Sequence, residues 1–318
     1  MQRGLHALRG LGQAGPVQHA PTPLPLALEP LEIEARGLRF PALACGKGPL
    51  VLCLHGFPDT AFTYRHQLPA LAAAGYRAIA PTLRGYDGRC MPARLADAHA
   101  LEVARDAVAL VEALGETRAH LVGHDWGAVA SYLAAALSPT SWRSVTTLAI
   151  PHPLGIVENL HRLPRQARHS WYMLFFQLPA VAERAMRARD FAFLERLWRA
   201  WSPGYHVEAS ELQLLKQAFR QPGVVAASLA YYRNMFALTG RPAREALRLL
   251  KEPITPPVLA LSGSDDGCID TRMYALAMGA ERFSSVVVEQ LNGLGHFMHL
   301  EDPARISARI VAWLNAHP

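Results

Sequence analysis

The run Gly123-His124-Asp125-Trp126-Gly127 sets a carboxylate between two glycines where an apolar stretch gives way to small, helix-forming residues. An aspartate there could cap the following helix, bind a metal or attack a substrate. The small-x-acid-x-small spacing fits a sharp strand-to-helix turn that lifts one side chain above a sheet, since only glycines let strand and helix approach so closely. Residues elsewhere favour attack. His55-Gly56-Phe57-Pro58-Asp59 follows an earlier apolar run, a placement that offers the Phe57 N–H to the same space, and the Trp126 N–H directly after Asp125 joins it as a second oxyanion donor. His296, in Gly293-Leu294-Gly295-His296, follows the last strand-like run in a loop free to reach back. Its rival His299 reads as a packing or capping residue. Asp265 and Asp266 close another apolar run; the Leu-x-Gly-x-x-Asp spacing selects Asp266 as the acid that holds the imidazole, with Asp265 as the alternative.

The order nucleophile, acid, histidine is that of an α/β-hydrolase triad, here with a carboxylate nucleophile. Aspartate is ionised at neutral pH, with an ordinary pKa of about 3.9, and needs no base for its first step. It can displace a leaving group at an sp³ carbon and form an ester, which water activated by His296 then hydrolyses. The departing atom tells two reactions apart: an epoxide oxygen needs phenol donors, a halide needs N–H donors such as indole. Tyr172 in "SWYMLFFQLP" and Tyr232 in "AYYRNMF" supply phenols within aromatic helical runs. Packing in a helical core is the other reading of each.

These residues need a frame, and the chain alternates accordingly. Residues 31–43 read as a hairpin, and "LVLCLH", "RAIAPTL", "AHLVGH" and "SVTTLAIP" as strands separated by helical runs. The stretch from Ala61 to Gly75 reads as one helix. Strands alternating with helices imply an α/β fold with a doubly wound, mostly parallel sheet. After the sixth strand the rhythm stops, and residues 154–250 read as a helical lid. Alternation resumes over 251–318 with "PVLALSGSDD", "SSVVVEQL" and a closing helix. The expected plan is a leader over 1–30, a core in two parts (31–153 and 251–318) and the lid between them.

Composition narrows the class. The 318 residues carry a formal charge of +6, but arginines are scattered without a basic stripe, which argues against nucleic acid. No apolar run reaches membrane-spanning length. Cys45, Cys53, Cys90 and Cys268 lack C-x-x-C spacing and read as idle thiols in a reducing cytoplasm. The leader lacks a continuous apolar segment for secretion; organelle targeting is the lesser reading. A homo-oligomer stays open.

From about Leu31 onward the chain resembles the soluble epoxide hydrolases of the α/β-hydrolase superfamily, through "HGFPD", "GYRAIAPTLRGY", "LVGHDWGA", "WYMLFFQLP", "YYRNMF", "GSDD" and "GLGHF". The resemblance implies an α/β-hydrolase fold and no cofactor or metal. It implies Asp125 as nucleophile, Asp266 as acid, His296 as base, and Tyr172 and Tyr232 as donors to the oxygen of a small apolar epoxide, with water as co-substrate. It also implies a cis Phe57–Pro58 bond. "RGYDGRC" departs from the family's R-G-Y-G-x-S, an expected change in loop path after Tyr86. Trp171, Trp198 and Trp201 keep a haloalkane dehalogenase as the alternative, and a ligand-binding protein on the same scaffold is a third reading.

Overall fold

The computed structural model describes residues 28–237 and 240–318. The expected leader lies outside these residues up to residue 27; Leu28 is buried, and the first strand opens at Glu29 rather than Leu31. Strands β1 (Glu29–Ala35) and β2 (Leu38–Cys45) form the hairpin, turning at Arg36 and Gly37, both with positive φ. That pair of dihedrals matches the twist of the flanking strands. Six more strands complete one sheet: β3 (Leu50–Leu54), β4 (Arg77–Pro81), β5 (Ala119–His124), β6 (Trp142–Leu148), β7 (Val258–Gly263) and β8 (Val286–Leu291). Their spatial order is β1-β2-β4-β3-β5-β6-β7-β8, antiparallel across β1, β2 and β4 and parallel from β4 to β8. Every residue of β3, β5 and β7 is buried, as continuous apolar runs covered on both faces require. The valines of β8 are half exposed because β8 is an edge.

Helices α1 (Gln67–Ala73), α2 (Ala100–Ala113) and α3 (Trp126–Leu137) cover the first half of the sheet. The single helix expected from Ala61 to Gly75 is two pieces. A 3₁₀ turn over Ala61–Tyr64, capped by the Thr60 hydroxyl, precedes α1, and the Tyr64 hydroxyl donates to the Leu54 carbonyl at the end of β3. That long-range bond pulls the turn inward.

Between β6 and β7 the described residues form no strand. They form α4 (Pro153–Asn159), α5 (Pro164–His169), α6 (Trp171–Phe175), α7 (Val181–Trp201), α8 (Ala209–Arg220), α9 (Val224–Phe236) and α10 (Arg241–Leu249). Within "HSWYMLFFQLPAVAERAM" the helices are separate: Pro179 disfavours helix at Leu178, and Ala180 turns with φ 62°. α7 is itself interrupted at Ala188–Phe191, where Asp190 turns out to meet Lys216 and Arg220 of α8. The chain closes with α11 (Arg272–Ala277), α12 (Met298–Glu301) and α13 (Pro303–Asn315). No helix among the described residues is long and apolar enough to cross a membrane.

Candidate active site

Asp125 sits between β5 and α3 with φ 50° and ψ −118°, a conformation that a non-glycine residue keeps only when its surroundings enforce it. The neighbouring glycines permit the tight packing of strand and helix around it. A Cβ on Gly127 would lie 2.0 Å from the Leu54 carbonyl oxygen, and one on Gly123 would lie 2.3 Å from the Gly127 carbonyl oxygen. Asp125 makes no side-chain cap to α3, so its carboxylate is not spent on the helix. Its Oδ1 accepts the Phe57 N–H at 2.7 Å, and a Cβ on Gly56 would collide with it. The Phe57–Pro58 peptide is cis. The N–H of Trp126, the first residue of α3, is among the donors that a helix leaves without an internal acceptor.

His55 holds the Phe57 turn from below. Leu83 donates its N–H to Nε2 at 3.0 Å, which places the ring proton on Nδ1, 3.0 Å from the Gly56 carbonyl. Burial pushes this imidazole down to about 4, so it stays neutral. The indole of Trp198 in α7 donates to the Pro58 carbonyl at 2.8 Å and fixes the turn from above.

On the other side of Asp125, His296 Nε2 faces Oδ2 at 3.6 Å, and Nδ1 lies 3.0 Å from Asp266 Oδ2. Asp266 is buried, and its other oxygen accepts the N–H groups of Cys268 and Ile269 at 2.7 and 2.9 Å. Asp265 is exposed and bonded to Ser264. Burial works against a charged imidazole, but the two flanking carboxylates outweigh it and push His296 up to about 10. Burial would likewise raise Asp125; the imidazolium and the Phe57 N–H hold it below its ordinary value. The imidazole is thus held as a cation against the Asp125 carboxylate.

His299 lies elsewhere, its Nε2 2.6 Å from the Thr63 hydroxyl and its ring stacked on Tyr64. Together with Asp59 and His124 it forms a second buried group. Burial pushes Asp59 up to about 7.

The two expected phenols come from different helices, Tyr172 from α6 and Tyr232 from α9, with ring centroids 5.7 Å apart. Tyr232 packs on Phe57 and Trp126, centroids at 5.3 and 5.0 Å, and its buried hydroxyl has no protein partner. The Tyr172 hydroxyl meets the Cys268 thiol at 3.3 Å. Burial first, and the Asp125 charge as well, raise both phenols well above their ordinary value, so both keep their protons. In the departing loop after Tyr86, Asp87 caps a 3₁₀ turn over Gly88–Cys90.

Only two glycines in the sequence hint at what holds the two halves of the site. The Trp201 carbonyl, at the end of α7, accepts the N–H groups of both Gly267 and His296 at 3.0 Å. Added Cβ atoms would meet the Ala200 carbonyl oxygen at 1.9 Å from Gly267 and Ser202 Cα at 2.7 Å from Gly295. Those two glycines are the local signal of this close approach.

Residues 51–309 match the alpha/beta hydrolase family. The chain is 31% identical over 293 residues to epoxide hydrolase 4 of Mus musculus, covering 89% of this chain and 78% of that one. It is 28% identical to epoxide hydrolase A of Mycobacterium tuberculosis, covering 89% and 96%. An epoxide hydrolase structure from an endophytic Streptomyces superimposes with a TM-score of 0.74 at 28% identity over 92% of this chain and 96% of that one. The Bacillus megaterium epoxide hydrolase, in complex with an inhibitor, gives 0.78 at 25% identity over 90% and 100%. With that fold, that strained carboxylate and those relatives, the chain belongs to the epoxide hydrolase family of the α/β-hydrolase superfamily.

Proposed function

We propose that the protein hydrolyses a small apolar epoxide to a vicinal diol through an ester on Asp125, beneath a lid formed by the helices between β6 and β7. The observation that carries this is the pair of protonated phenols, Tyr172 and Tyr232, buried beside an ionised carboxylate. Asp125 attacks an epoxide carbon while the phenols receive the oxygen; the broken C–O bond leaves its electron pair on that oxygen, and a phenol supplies its proton. Esterification removes the Asp125 charge, one of the two that hold His296 as imidazolium, so the ring releases its proton and restores the phenol. Neutral His296, oriented by Asp266, then takes a proton from water as the water attacks the ester carbonyl. The Phe57 and Trp126 N–H groups support the oxyanion, and collapse regenerates Asp125 carboxylate and His296 imidazolium. The cycle balances with epoxide and water alone.

Halide expulsion is the second reading, favoured by the buried Trp126 indole N–H, which has no partner. Of the lid tryptophans, Trp198 commits its N–H to Pro58 and Trp171 lies at the surface, which leaves Trp201, 5.0 Å from the His296 ring, as the one beside the centre. Diol formation from styrene oxide, measured beside halide release from a bromoalkane, separates the two. Diol with no halide is expected; the reverse would overturn the proposal.

A further inference from the structure

Cys268 is fixed at the meeting point of the acid and one phenol. Its N–H donates to Asp266 Oδ1 at 2.7 Å, and its carbonyl accepts the Gln166 side-chain N–H of α5 at 2.9 Å. The backbone that carries the thiol is thus held from both sides. Its Sγ lies 3.3 Å from the Tyr172 hydroxyl, a distance at which either atom can donate, and this contact distinguishes Tyr172 from the unpartnered Tyr232 hydroxyl. Burial, with the Asp266 charge behind it, keeps the thiol protonated, which leaves it a proton to donate.

When a phenol donates to an epoxide oxygen, its own oxygen remains an acceptor, and negative charge grows there as the proton departs. A weak S–H donor aimed at that oxygen strengthens with the charge, because chained hydrogen bonds polarise one another in a low dielectric. We propose that Cys268 is a positioning residue that donates its S–H to the Tyr172 oxygen, turning that hydroxyl toward the substrate and making Tyr172 the stronger of the two proton donors. The thiol transfers no proton: Tyr172 protonates the epoxide oxygen, and the tyrosinate accepts the S–H hydrogen bond until it is reprotonated. This role rests on the ring-opening chemistry proposed above.

The test combines a spectrum and a rate. The Cys268 S–H infrared band, isolated as the difference between wild type and Cys268→Ser, should move to higher frequency when Tyr172→Phe removes its acceptor. In single turnovers with styrene oxide, Cys268→Ala should slow ester formation by about three- to tenfold, the range of one neutral hydrogen bond. Ester hydrolysis should be unchanged, and Cys268→Ser should stay within about twofold of wild type because it restores a donor. An unmoved band, or Cys268→Ala forming ester at the wild-type rate, overturns the role. Absence of ester in every form, wild type included, overturns the reaction and the role with it, while a moved band would still locate the thiol.

Discussion

Removing the Asp125 charge while keeping its shape should discharge His296. Two unit charges 3.6 Å apart interact by about 4.6 kcal/mol at an effective dielectric constant of about 20. At about 1.36 kcal/mol per pH unit, Asp125→Asn should lower the imidazole pKa by about three units, from about 10 toward 7, with Asp266 supplying what elevation remains. The effect also governs stability. A histidine raised above its ordinary 6.5 contributes stability that is fully present below 6.5 and lost as pH rises toward about 10. Wild type should therefore weaken across that window through His296, and the variant should lose this contribution by about pH 7. Imidazole ¹⁵N shifts, followed by NMR against pH, give the pKa directly; urea unfolding at the same pH values gives the linked stability, and intact mass verifies that the amide persists. A variant imidazole titrating within one unit of wild type would refute the claim that the nucleophile's charge holds the imidazolium.

Two further perturbations read other parts of the account. Asp59→Asn imitates the neutral form of a carboxyl raised to about 7; ionisation of wild-type Asp59 costs stability progressively as pH rises from about 4 to 7, so the melting temperature of the variant relative to wild type should be higher at pH 8 than at pH 5. An equal difference at both pH values would contradict the raised pKa. Gly267→Ala drives a Cβ to 1.9 Å from the Ala200 carbonyl oxygen and should loosen both amides that Trp201 holds, costing about 1–3 kcal/mol in denaturant unfolding and most of the turnover. Wild-type stability in that variant would remove α7 from the support of the site.

The parts of the site that follow from local geometry were legible in the chain. Asp125, Phe57 and His296 stand in turns whose glycines and flanking apolar runs specify where the backbone must go, and spacing separated Asp266 from Asp265. The phenols were less so: tyrosines in aromatic helical runs look like core, and their convergence depends on how α6 and α9 pack, which periodicity does not encode. The same limit hid the Trp201 carbonyl, since a backbone acceptor carries no residue signature. Cys268 read as an idle thiol because its Tyr172 partner is 96 residues away in sequence. The single helix expected over Ala61 to Gly75 failed likewise, where the bond from Tyr64 to Leu54 overrides the local pattern.

The covalent ester on Asp125 is tested most directly by one turnover in heavy-oxygen water with enzyme in excess. Water that attacks the ester carbonyl leaves its oxygen on the enzyme, so the account predicts an unlabelled diol and a labelled Asp125 peptide by mass spectrometry. A labelled diol beside an unlabelled Asp125 would mean that water opens the epoxide directly, and would contradict it.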